Sequence, residues 1–463
     1  MNLALGLLYA AERDAGAEAL VGDDERLTYA ELRMRAARIA GGLAARGVGP
    51  GDRVACVLAN DTETVELYWG CQWLGAVFVP LSYRVAAADL EYCIEDCGTE
   101  IVVREPAEVH ELTAADEHPG ALDLDEAAAS IQLYTSGTTG RPKGVPRSHR
   151  AERASGFSQV VHHGLEPGHR TLGVMPLYHT MGVHSMLAAA AVAGCYVSQP
   201  TWDTDVALGL IERERIDSLY LAPTLFYDLV HSPRLADADI SSVRAIAYAG
   251  APMTSALAER VAEAFDPGIF VNHYGSTEIY TFSVHRDQRA KPGCAGRAAL
   301  NARLQLDQPG EGEILCHMSS DEAFSGYWHR PDADEKAIRG GWYHTGDVGR
   351  LDEDGDLWVV GRVDDMVVSG GENIHPVEVE DVLARAPGVR EVAVVGAPDD
   401  RLGQRVVACV VADDGVTADE LDAFCLSSDQ LARFKRPREY RFVSELPKSP
   451  SGKILRRMLR AET

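Results

Sequence analysis

The sequence predicts an α/β fold, with parallel strands covered by helices on both faces. Short apolar runs alternate with segments whose apolar residues recur at helical spacing, and this rhythm continues from about residue 28 to residue 249. A stretch broken by Gly and Pro then interrupts it, and a fresh α/β segment follows near the carboxyl terminus. Together these patterns predict a large amino-terminal domain and a smaller second one.

The first elements set the pattern. Thr28 and Glu31 form a capping-box pair ahead of apolar residues at helical spacing, which predicts a helix ending before the glycines near residue 50. Residues 53–58 and 76–80 predict buried strands that flank a helix over 62–75. Further strands are predicted at residues 170–175, 218–222 and 243–249.

The second half departs from this rhythm. Between Glu278 and Asp347, short segments interrupted by Gly and Pro predict a small β subdomain rather than more doubly wound sheet. A polar run after Gly361 then leads into a new α+β unit. We therefore predict an amino-terminal domain over residues 1–361 and a mobile carboxyl-terminal domain over residues 362–463, hinged near Asp364.

Bulk composition excludes several classes of function. A formal net charge of −26 disfavours non-specific binding to nucleic acids and anionic membranes. The longest apolar stretch, near residues 186–197, is too short to span a bilayer, and the amino terminus lacks the basic region of a secretory signal. The nine cysteines show no redox or zinc-binding spacing. A cytoplasmic protein without a structural metal is expected.

One segment carries the opposite charge. The segment from Leu431 to Arg460 contains ten Lys or Arg residues and two Glu residues, which gives it a local net charge of 10 − 2 = +8. A solvated basic tail and a binding site for a phosphate-bearing ligand both fit this charge, which alone does not separate them.

The most informative motif is LYTSGTTGRPKGV at residues 133–145. Its glycines allow a ligand to approach the backbone closely, while hydroxyls and one ammonium group suit phosphate oxygens. It is not a Walker A loop, because Gly144 rather than Ser or Thr follows Lys143. The candidate phosphate-binding residues in it are Thr135, Ser136, Gly137, Thr138, Thr139 and Lys143.

Four further motifs follow in order: YGSTE from Tyr274, YHTGD ending at Asp347, GRVDDMVVSGGENIHPVEVE from Gly361, and PKSPSGKILRR from Pro447. In the first, an aromatic ring, a hydroxyl and a carboxylate lie together. This combination suits stacking on a purine, contact with a phosphate and binding of a divalent cation through oxygen.

Taken in order, these five segments resemble the core motifs of the adenylate-forming superfamily, which includes acyl-CoA synthetases, peptide-synthetase adenylation domains and beetle luciferase. The resemblance covers nearly the whole chain, and GRVDDMVVSGGENIHP and FKRPREYRF are most similar to bacterial aryl-CoA ligases of the 4-chlorobenzoate and benzoate type. It implies that ATP, Mg²⁺ and coenzyme A take part in the reaction.

The resemblance also implies roles for matching positions. On this resemblance, Lys143 is expected to contact the β- and γ-phosphates, Thr277 to bind the α-phosphate, and Glu278 to bind the Mg²⁺. Lys453 bridges the carboxylate and the α-phosphate during adenylation, where its charge offsets the repulsion between two anions. The remaining residues expected to contact ATP or AMP are Gly250, Ala251, Pro252, His273, Tyr274, Gly275, Ser276, Asp347 and Arg362.

For the thiol step, the resemblance implies that the carboxyl-terminal domain rotates about Asp364. Gly370 and Gly371 then leave room for a pantetheine tunnel, and Glu372 orders that conformation. Phe434, Arg436 and Arg438 match positions that receive the nucleotide of coenzyme A, which gives the basic segment a function.

The acid itself is placed by motif spacing. His179 is expected to gate or line the acyl pocket, although a buried structural histidine is an equal alternative. The other pocket candidates are Thr180, Met181, His273, Gly275, Tyr280 and Thr281. Such a pocket suits a compact aromatic acid with a polar substituent, whereas Tyr280 could equally be a packing residue.

Three interpretations remain open on the sequence. The first is an AMP-forming aryl- or acyl-CoA ligase, either monomeric or homodimeric. The second keeps the adenylation step and loads a phosphopantetheinyl carrier protein instead. The third is a non-catalytic homologue that binds a nucleotide or an acid, which the presence of Lys143, Glu278, Asp347 and Lys453 disfavours.

Overall fold

The computed structural model describes residues 1–121, 123–135, 141–448 and 454–461 of the chain. Within these residues the α-helices are Ala4–Arg13 (α1), Tyr29–Ala45 (α2), Thr62–Leu74 (α3), Ala87–Cys97 (α4), Pro106–Thr113 (α5), His149–His163 (α6), Thr180–Ala191 (α7), Thr204–Glu214 (α8), Pro223–His231 (α9), Ser255–Phe265 (α10), Pro331–Ala337 (α11), Pro376–Leu383 (α12), Ala418–Ser427 (α13) and Arg456–Ala461 (α14).

The strands of the same residues are Glu18–Val21 (β1), Arg26–Thr28 (β2), Arg53–Cys56 (β3), Val77–Pro80 (β4), Ile101–Val103 (β5), Ala129–Thr135 (β6), Lys143–Ser148 (β7), Arg170–Gly173 (β8), Cys195–Ser198 (β9), Ser218–Leu221 (β10), Ala245–Tyr248 (β11), Ile269–Tyr274 (β12), Ser283–His285 (β13), Arg297–Ala298 (β14), Leu304–Leu306 (β15), Glu311–His317 (β16), Ile338–Arg339 (β17), Trp342–Leu351 (β18), Leu357–Arg362 (β19), Val367–Ser369 (β20), Glu372–Ile374 (β21), Val389–Asp399 (β22), Gly403–Ala412 (β23) and Glu439–Phe442 (β24).

Two sheets with parallel centres build most of the amino-terminal part. The larger has the strand order β14-β13-β12-β11-β10-β8-β9-β1-β2, and the other has the order β5-β3-β4-β6-β7. Pairing is parallel from β12 through to β1, and antiparallel strands close both edges. The central strands are buried on both faces, as in β10 and β11, which confirms the predicted α/β class.

Local sequence signals set several helix boundaries. At the start of α2, the hydroxyl of Thr28 accepts from the backbone N–H of Glu31, while the Glu31 carboxylate accepts from the backbone N–H of Thr28, so the predicted capping box is confirmed. At the end of α3, Gly75 takes the left-handed conformation that stops a helix. The chain can then turn directly into β4.

The predicted β subdomain is present, but its bounds differ from the prediction. It is an antiparallel sheet of order β15-β16-β18-β17 with β19 paired to β18, and therefore extends beyond Asp347. Strands β13 and β14, which the sequence assigned to this subdomain, instead pair onto β12 as an antiparallel edge of the large sheet. Residues 275–282 fold back from β12, which returns the chain to the large sheet before the small sheet begins.

The carboxyl-terminal part has its own sheet, of order β21-β20-β23-β22, with β24 parallel to β23. Helices α12 and α13 and these strands enclose a separate apolar core. A short 3₁₀ helix, Val363–Asp365, joins this part to β19, and the predicted hinge residue Asp364 lies in it. The domain boundary at residue 361 stays a prediction.

Among the helices of the described residues, none combines the length and apolarity that a membrane crossing requires. All nine cysteines lie in the described ranges, each is buried, and none of them forms a disulfide bond.

Candidate active site

The candidate residues gather where parallel strands end. Strands β12, β11, β10 and β8 are neighbours in the large sheet and run parallel, so their carboxyl ends share one edge. Segment 274–278 begins at the last residue of β12, residues 250–252 follow β11, and His179 lies beyond β8. The crevice outside such strand ends is where open α/β sheets bind ligands.

At one end of the site, Asp347 and Arg362 face each other as register partners on β18 and β19. Arg362 Nη1 lies 3.0 Å from Asp347 Oδ1, and Tyr274 Oη donates to Asp347 Oδ2 at 2.7 Å. Gly346 has a φ of +71°, and a Cβ there would lie 2.9 Å from the Arg362 guanidinium. Any other residue at position 346 would therefore be strained by the positive φ and would displace the Arg362 guanidinium.

The surroundings fix the charge of this trio. Burial alone would lower the pKa of Arg362, but Asp347, Tyr274, Tyr343 and Asp365 together outweigh burial, and the pKa is raised. Burial, followed by the Asp347 charge, raises the pKa of Tyr274 well above its ordinary value. Tyr274 thus stays a neutral donor, and the Asp347 carboxylate is an acceptor of the kind that a ribose hydroxyl can donate to.

A second trio forms at the other end of segment 274–278. Tyr327 Oη donates to Glu278 Oε1 at 2.6 Å, and Lys143 Nζ lies 3.9 Å from the centre of the Tyr327 ring. Burial lowers the pKa of Lys143, while the Glu278 charge opposes that shift. Glu278, Tyr327 and Lys143 therefore form one unit that presents a carboxylate and an ammonium group together.

This unit fits a Mg²⁺ ion. The Tyr327 hydroxyl occupies only one oxygen of the Glu278 carboxylate, and carboxylate oxygens are the donors that Mg²⁺ prefers. Mg²⁺ is commonly held by one or two carboxylates together with substrate phosphates rather than by a complete protein cage.

The backbone around Glu278 is held by nearby groups. Arg147 Nη1 donates to the carbonyl oxygens of Thr277 at 3.3 Å and Glu278 at 3.2 Å. The Ser276 hydroxyl accepts from the Glu278 N–H at 3.2 Å. A Cβ on Gly275 would lie 1.9 Å from the Tyr280 carbonyl oxygen, so this position requires glycine. Ser276 and Gly275 therefore shape the loop that the sequence assigned to nucleotide contact.

Two acid-pocket candidates, His179 and Met181, lie beside Gly250 near the end of β11. His179 caps the amino terminus of α7, and its Nδ1 accepts from the Met181 N–H at 3.3 Å. A Cβ on Gly250 would lie 3.6 Å from Met181 Sδ and 4.0 Å from His179 Cε1. Thr180 begins the helix and is half-buried, whereas Ala251 is half-buried and Pro252 exposed.

The other acid-pocket candidates belong to a buried polar cluster. His273 Nε2 lies 3.1 Å from Thr281 Oγ1, and His273 Nδ1 lies 3.3 Å from His163 Nε2. Burial lowers the pKa of His273 and His163 well below the ordinary value, and that of His184 to about 3. The imidazoles are thus neutral near pH 7. Thr281 is completely buried beside His273, so a bound carboxylic acid could contact Thr281 only by entering this cluster.

Tyr280 lies beside the same cluster. Its ring is buried, with the His184 ring centre 5.6 Å away on one side and the Arg147 guanidinium carbon 3.5 Å from the ring centre. These contacts match the packing alternative that the sequence left open, while the acid-binding role of Tyr280 stays a prediction.

The predicted coenzyme A residues lie on the carboxyl-terminal part. Gly370 and Gly371 form the exposed turn between β20 and β21, with φ values of +63° and +88°, and Glu372 pairs with Ser369 across that hairpin. Phe434 and Arg438 are exposed. Arg436 Nε donates to Asp422 Oδ1 at 2.9 Å, so its charge is already paired.

Other residues of the basic segment are also paired with acidic side chains. Lys435 pairs with Glu378, Lys448 with Glu391 and Arg456 with Glu380. Acidic residues distant in sequence therefore offset much of the local charge of +8.

Several predicted residues lie outside the described residues. These are Ser136, Gly137, Thr138 and Thr139 of the glycine-rich loop, and Lys453. Thr135, the last residue of β6, pairs with Lys143 across the β6–β7 hairpin, so both ends of that loop are placed.

Sequence reasoning missed two residues that the structure brings to the site. Tyr327 is 49 positions from Glu278, and Arg147 is 131 positions from it. Tyr327 stands beside Trp328 in the sequence, and Arg147 lies near the end of β7. The pattern around Arg147 carried no signal, because its hydrogen-bond partners Thr277, Glu278 and Glu322 are distant along the chain.

Comparison with known proteins agrees with this geometry. A family model described as "AMP-binding enzyme" matches residues 7–328, and one described as "AMP-binding enzyme C-terminal domain" matches residues 378–453. The chain is similar to a feruloyl-CoA synthase of Amycolatopsis sp, with 36% identity over 93% of this chain and 92% of that protein. It is also similar to a 4-chlorobenzoate–CoA ligase of Arthrobacter sp, with 34% identity over 98% and 93% of the two chains.

Among solved structures, ATP-bound MatB from Rhodopseudomonas palustris matches all of this chain and 99% of its own, with a TM-score of 0.91 and 28% identity. The expected family is confirmed by sequence and by fold. The chain belongs to the family of AMP-binding, adenylate-forming enzymes.

Proposed function

We propose that this protein is an AMP-forming ligase that joins a compact aryl acid to coenzyme A. One observation carries the proposal: segment 274–278 links the Tyr274–Asp347–Arg362 trio to the Glu278–Tyr327–Lys143 trio. The first trio suits a ribose, and the second suits a polyphosphate with its cation. A nucleoside triphosphate lying along this segment would contact both.

In the first step, a carboxylate oxygen of the acid attacks the α-phosphorus of ATP. A bond forms between that oxygen and phosphorus, the bond to the β-phosphate oxygen breaks, and pyrophosphate leaves. Lys143 faces the departing phosphates, and the Thr277 side chain is assigned to the α-phosphate. Positioned charges of this kind stabilise the transition state of phosphoryl transfer.

Mg²⁺, held by Glu278, supplies charge neutralisation to the phosphates when it is bound. The protein's own contribution is to fix the Glu278 carboxylate through the Tyr327 hydroxyl. A carboxylate that is already oriented loses less conformational entropy when the ion arrives.

In the second step, the thiol sulfur of coenzyme A attacks the acyl carbon of the adenylate. The carbon–sulfur bond forms, the bond from that carbon to the phosphate oxygen breaks, AMP leaves, and the thiol proton passes to solvent. We assign the thiol path to the exposed hairpin turn at Gly370 and Gly371, which reaches the site after rotation about Asp364.

The acid class rests on the site and on the relatives. His179, Met181 and Gly250 border the end of β11, and the neutral imidazoles of the nearby cluster offer hydrogen bonds without a charge. Feruloyl and 4-chlorobenzoyl groups, named for two relatives, are compact aryl acyl groups. A substituted benzoate or another compact aryl acid is the class we propose.

A carrier-bound thiol is the second candidate acceptor. Asp422 already pairs with Arg436, one of the residues assigned to the nucleotide of coenzyme A. That pairing reduces the positive charge available to a free coenzyme A molecule.

The function is tested by measuring AMP release with a panel of benzoates, cinnamates and short fatty acids. We expect an aryl acid to support release that depends on ATP and rises when free coenzyme A is added. Pyrophosphate exchange with each acid, measured without coenzyme A, isolates the first step.

Two outcomes would contradict the proposal in different ways. AMP release that ignores coenzyme A, with pyrophosphate exchange intact, would favour the carrier protein as acceptor. Absence of exchange with every acid in the panel would remove the catalytic assignment.

The orientation of the carboxyl-terminal part is held by contacts between α10 and α12. The Ser255 N–H and hydroxyl donate to Asp381 Oδ1 at 2.9 and 3.0 Å. Four residues further along the chain in each case, Arg385 Nη2, just beyond the end of α12, lies 3.2 Å from Glu259 Oε1 on α10. Since the whole chain matches an ATP-bound relative with a TM-score of 0.91, we assign this arrangement to the adenylation step.

Replacing Asp381 with alanine is therefore expected to slow pyrophosphate exchange about fivefold, because a carboxylate at a helix amino terminus contributes roughly 1 kcal/mol. Thioester formation from supplied acyl-adenylate should change less. Asp413→Ala is the matched control, because Asp413 pairs with Arg390 within the carboxyl-terminal part. Equal slowing of both steps would contradict the assignment.

We further propose a cytoplasmic location. The nine described cysteines support it because none of them forms a disulfide bond, as is usual in reducing compartments.

A further inference from the structure

Arg147 lies on β7, and its side chain is completely buried. A buried guanidinium is costly unless a counter-charge and hydrogen bonds compensate for the lost water. The groups around Arg147 must therefore supply both a counter-charge and hydrogen-bond acceptors.

The counter-charge comes from the next helix. Glu152, in the first turn of α6, forms an ion pair with Arg147 Nε and is also completely buried. The Tyr280 ring lies against the guanidinium, 3.5 Å from its carbon to the ring centre. Burial by itself would lower the pKa of Arg147, but Glu152, Tyr280 and Glu322 outweigh it and raise the pKa. The guanidinium therefore stays charged.

The other side of the guanidinium holds backbone. Arg147 Nη1 donates to the carbonyl oxygens of Thr277 at 3.3 Å, Glu278 at 3.2 Å and Glu322 at 2.9 Å. These carbonyls belong to two separate chain segments, which a single bridge between Ile279 and Ala323 also joins. Arg147 thus ties both segments to β7.

Thr277 and Glu278 lie outside the regular strands, so no extended sheet ladder fixes their backbone. Buried carbonyl groups need partners. The charged guanidinium donates to the Thr277 carbonyl oxygen, and the Glu278 carbonyl oxygen accepts from the guanidinium and from the Phe324 N–H at 2.8 Å. The side chains of the same two residues are those assigned to the α-phosphate and to Mg²⁺. A shift of this backbone would move both.

We propose that Arg147 is a positioning residue, which sets the Thr277 hydroxyl and the Glu278 carboxylate for Mg-ATP through their backbone carbonyls. This inference rests on the proposed function, since it concerns the same adenylation site. Glu152 and Tyr280 hold the guanidinium in place, and neither needs to touch the nucleotide.

Lysine cannot replace arginine in this role. An ammonium group is a point charge on a flexible stem, whereas the guanidinium presents donors in a rigid fork towards Glu152 and towards the carbonyls at once. Arg147→Lys keeps the positive charge but loses the hydrogen-bond geometry. The variant therefore distinguishes the effect of the charge from the effect of the geometry.

The test compares Arg147→Lys with wild-type enzyme in pyrophosphate exchange over a range of Mg²⁺ concentrations. We expect a loss in kcat of roughly ten- to a hundredfold, because small displacements at a reacting centre have effects of that order. We also expect the Mg²⁺ concentration at half-maximal rate to rise. Calorimetry should show weaker binding of Mg-ATP and unchanged binding of adenosine, which depends on Tyr274, Asp347 and Arg362.

Arg35→Lys is the matched control. Arg35 also pairs with a completely buried glutamate, Glu66, and neither residue belongs to the site. It should lose thermal stability without any change in the Mg²⁺ response. If Arg147→Lys does not fold, Glu152→Gln takes its place, with a smaller change in the same direction.

A variant with wild-type kcat and an unchanged Mg²⁺ response would overturn the inference, as would equal weakening of adenosine and Mg-ATP. Failure of the proposed function has a different signature, because the wild-type enzyme would then show no exchange with any acid.

Discussion

Replacing Lys453 with alanine is expected to lower the rate of adenylation by about two to three orders of magnitude, the usual effect of removing one transition-state charge partner. Attack of a carboxylate on a phosphate brings two anions together, and the ammonium group offsets their repulsion. Thioester formation from supplied acyl-adenylate should retain most of its rate, because the carboxylate has already reacted.

The described residues on either side of Lys453 pair with each other. Lys448 and Ile454 form a single antiparallel bridge. Lys453 itself lies outside the described residues, so its role stays a prediction.

Lys448→Ala is the matched control for this prediction. It removes a lysine from the same segment, but one that already pairs with Glu391. It should slow adenylation far less than Lys453→Ala. Equal losses in both half-reactions for Lys453→Ala would contradict its assigned role.

Glu278→Gln is expected to reduce pyrophosphate exchange by about a hundredfold or more, as the loss of a charge partner in the transition state implies. The amide keeps the shape of the side chain and still accepts from Tyr327, but it loses the charge that binds the cation. Higher Mg²⁺ should restore part of the rate. The measurement is the exchange rate as a function of Mg²⁺ concentration.

Glu214→Gln serves as the control, because Glu214 is also buried and paired with arginines, Arg26 and Arg170, but lies away from the site. Glu214→Gln should change the stability of the protein, and the dependence of its exchange rate on Mg²⁺ concentration should equal that of the wild type. Tyr327→Phe should fall between the two, since it frees the Glu278 carboxylate without removing it. An unchanged Mg²⁺ response in Glu278→Gln would remove the metal assignment.

Much of the fold was accessible from local sequence. The capping box at Thr28, the helix stop at Gly75 and the apolar β10 and β11 strands depend on neighbours within a few residues, and each appears where the pattern indicates. The bounds of the β subdomain were predicted less well, because β13 and β14 pair with β12 rather than with the strands that follow them.

The sequence by itself determined the α/β class, the family and the identity of the chemical groups, because each depends on residue types in short, ordered motifs. Only the tertiary structure decided which groups meet. The contacts of Tyr327 with Glu278, of Arg147 with the Thr277 backbone and of Asp422 with Arg436 span 14 to 130 positions. Such contacts depend on how the sheets and helices pack against each other, and local sequence patterns do not determine that packing.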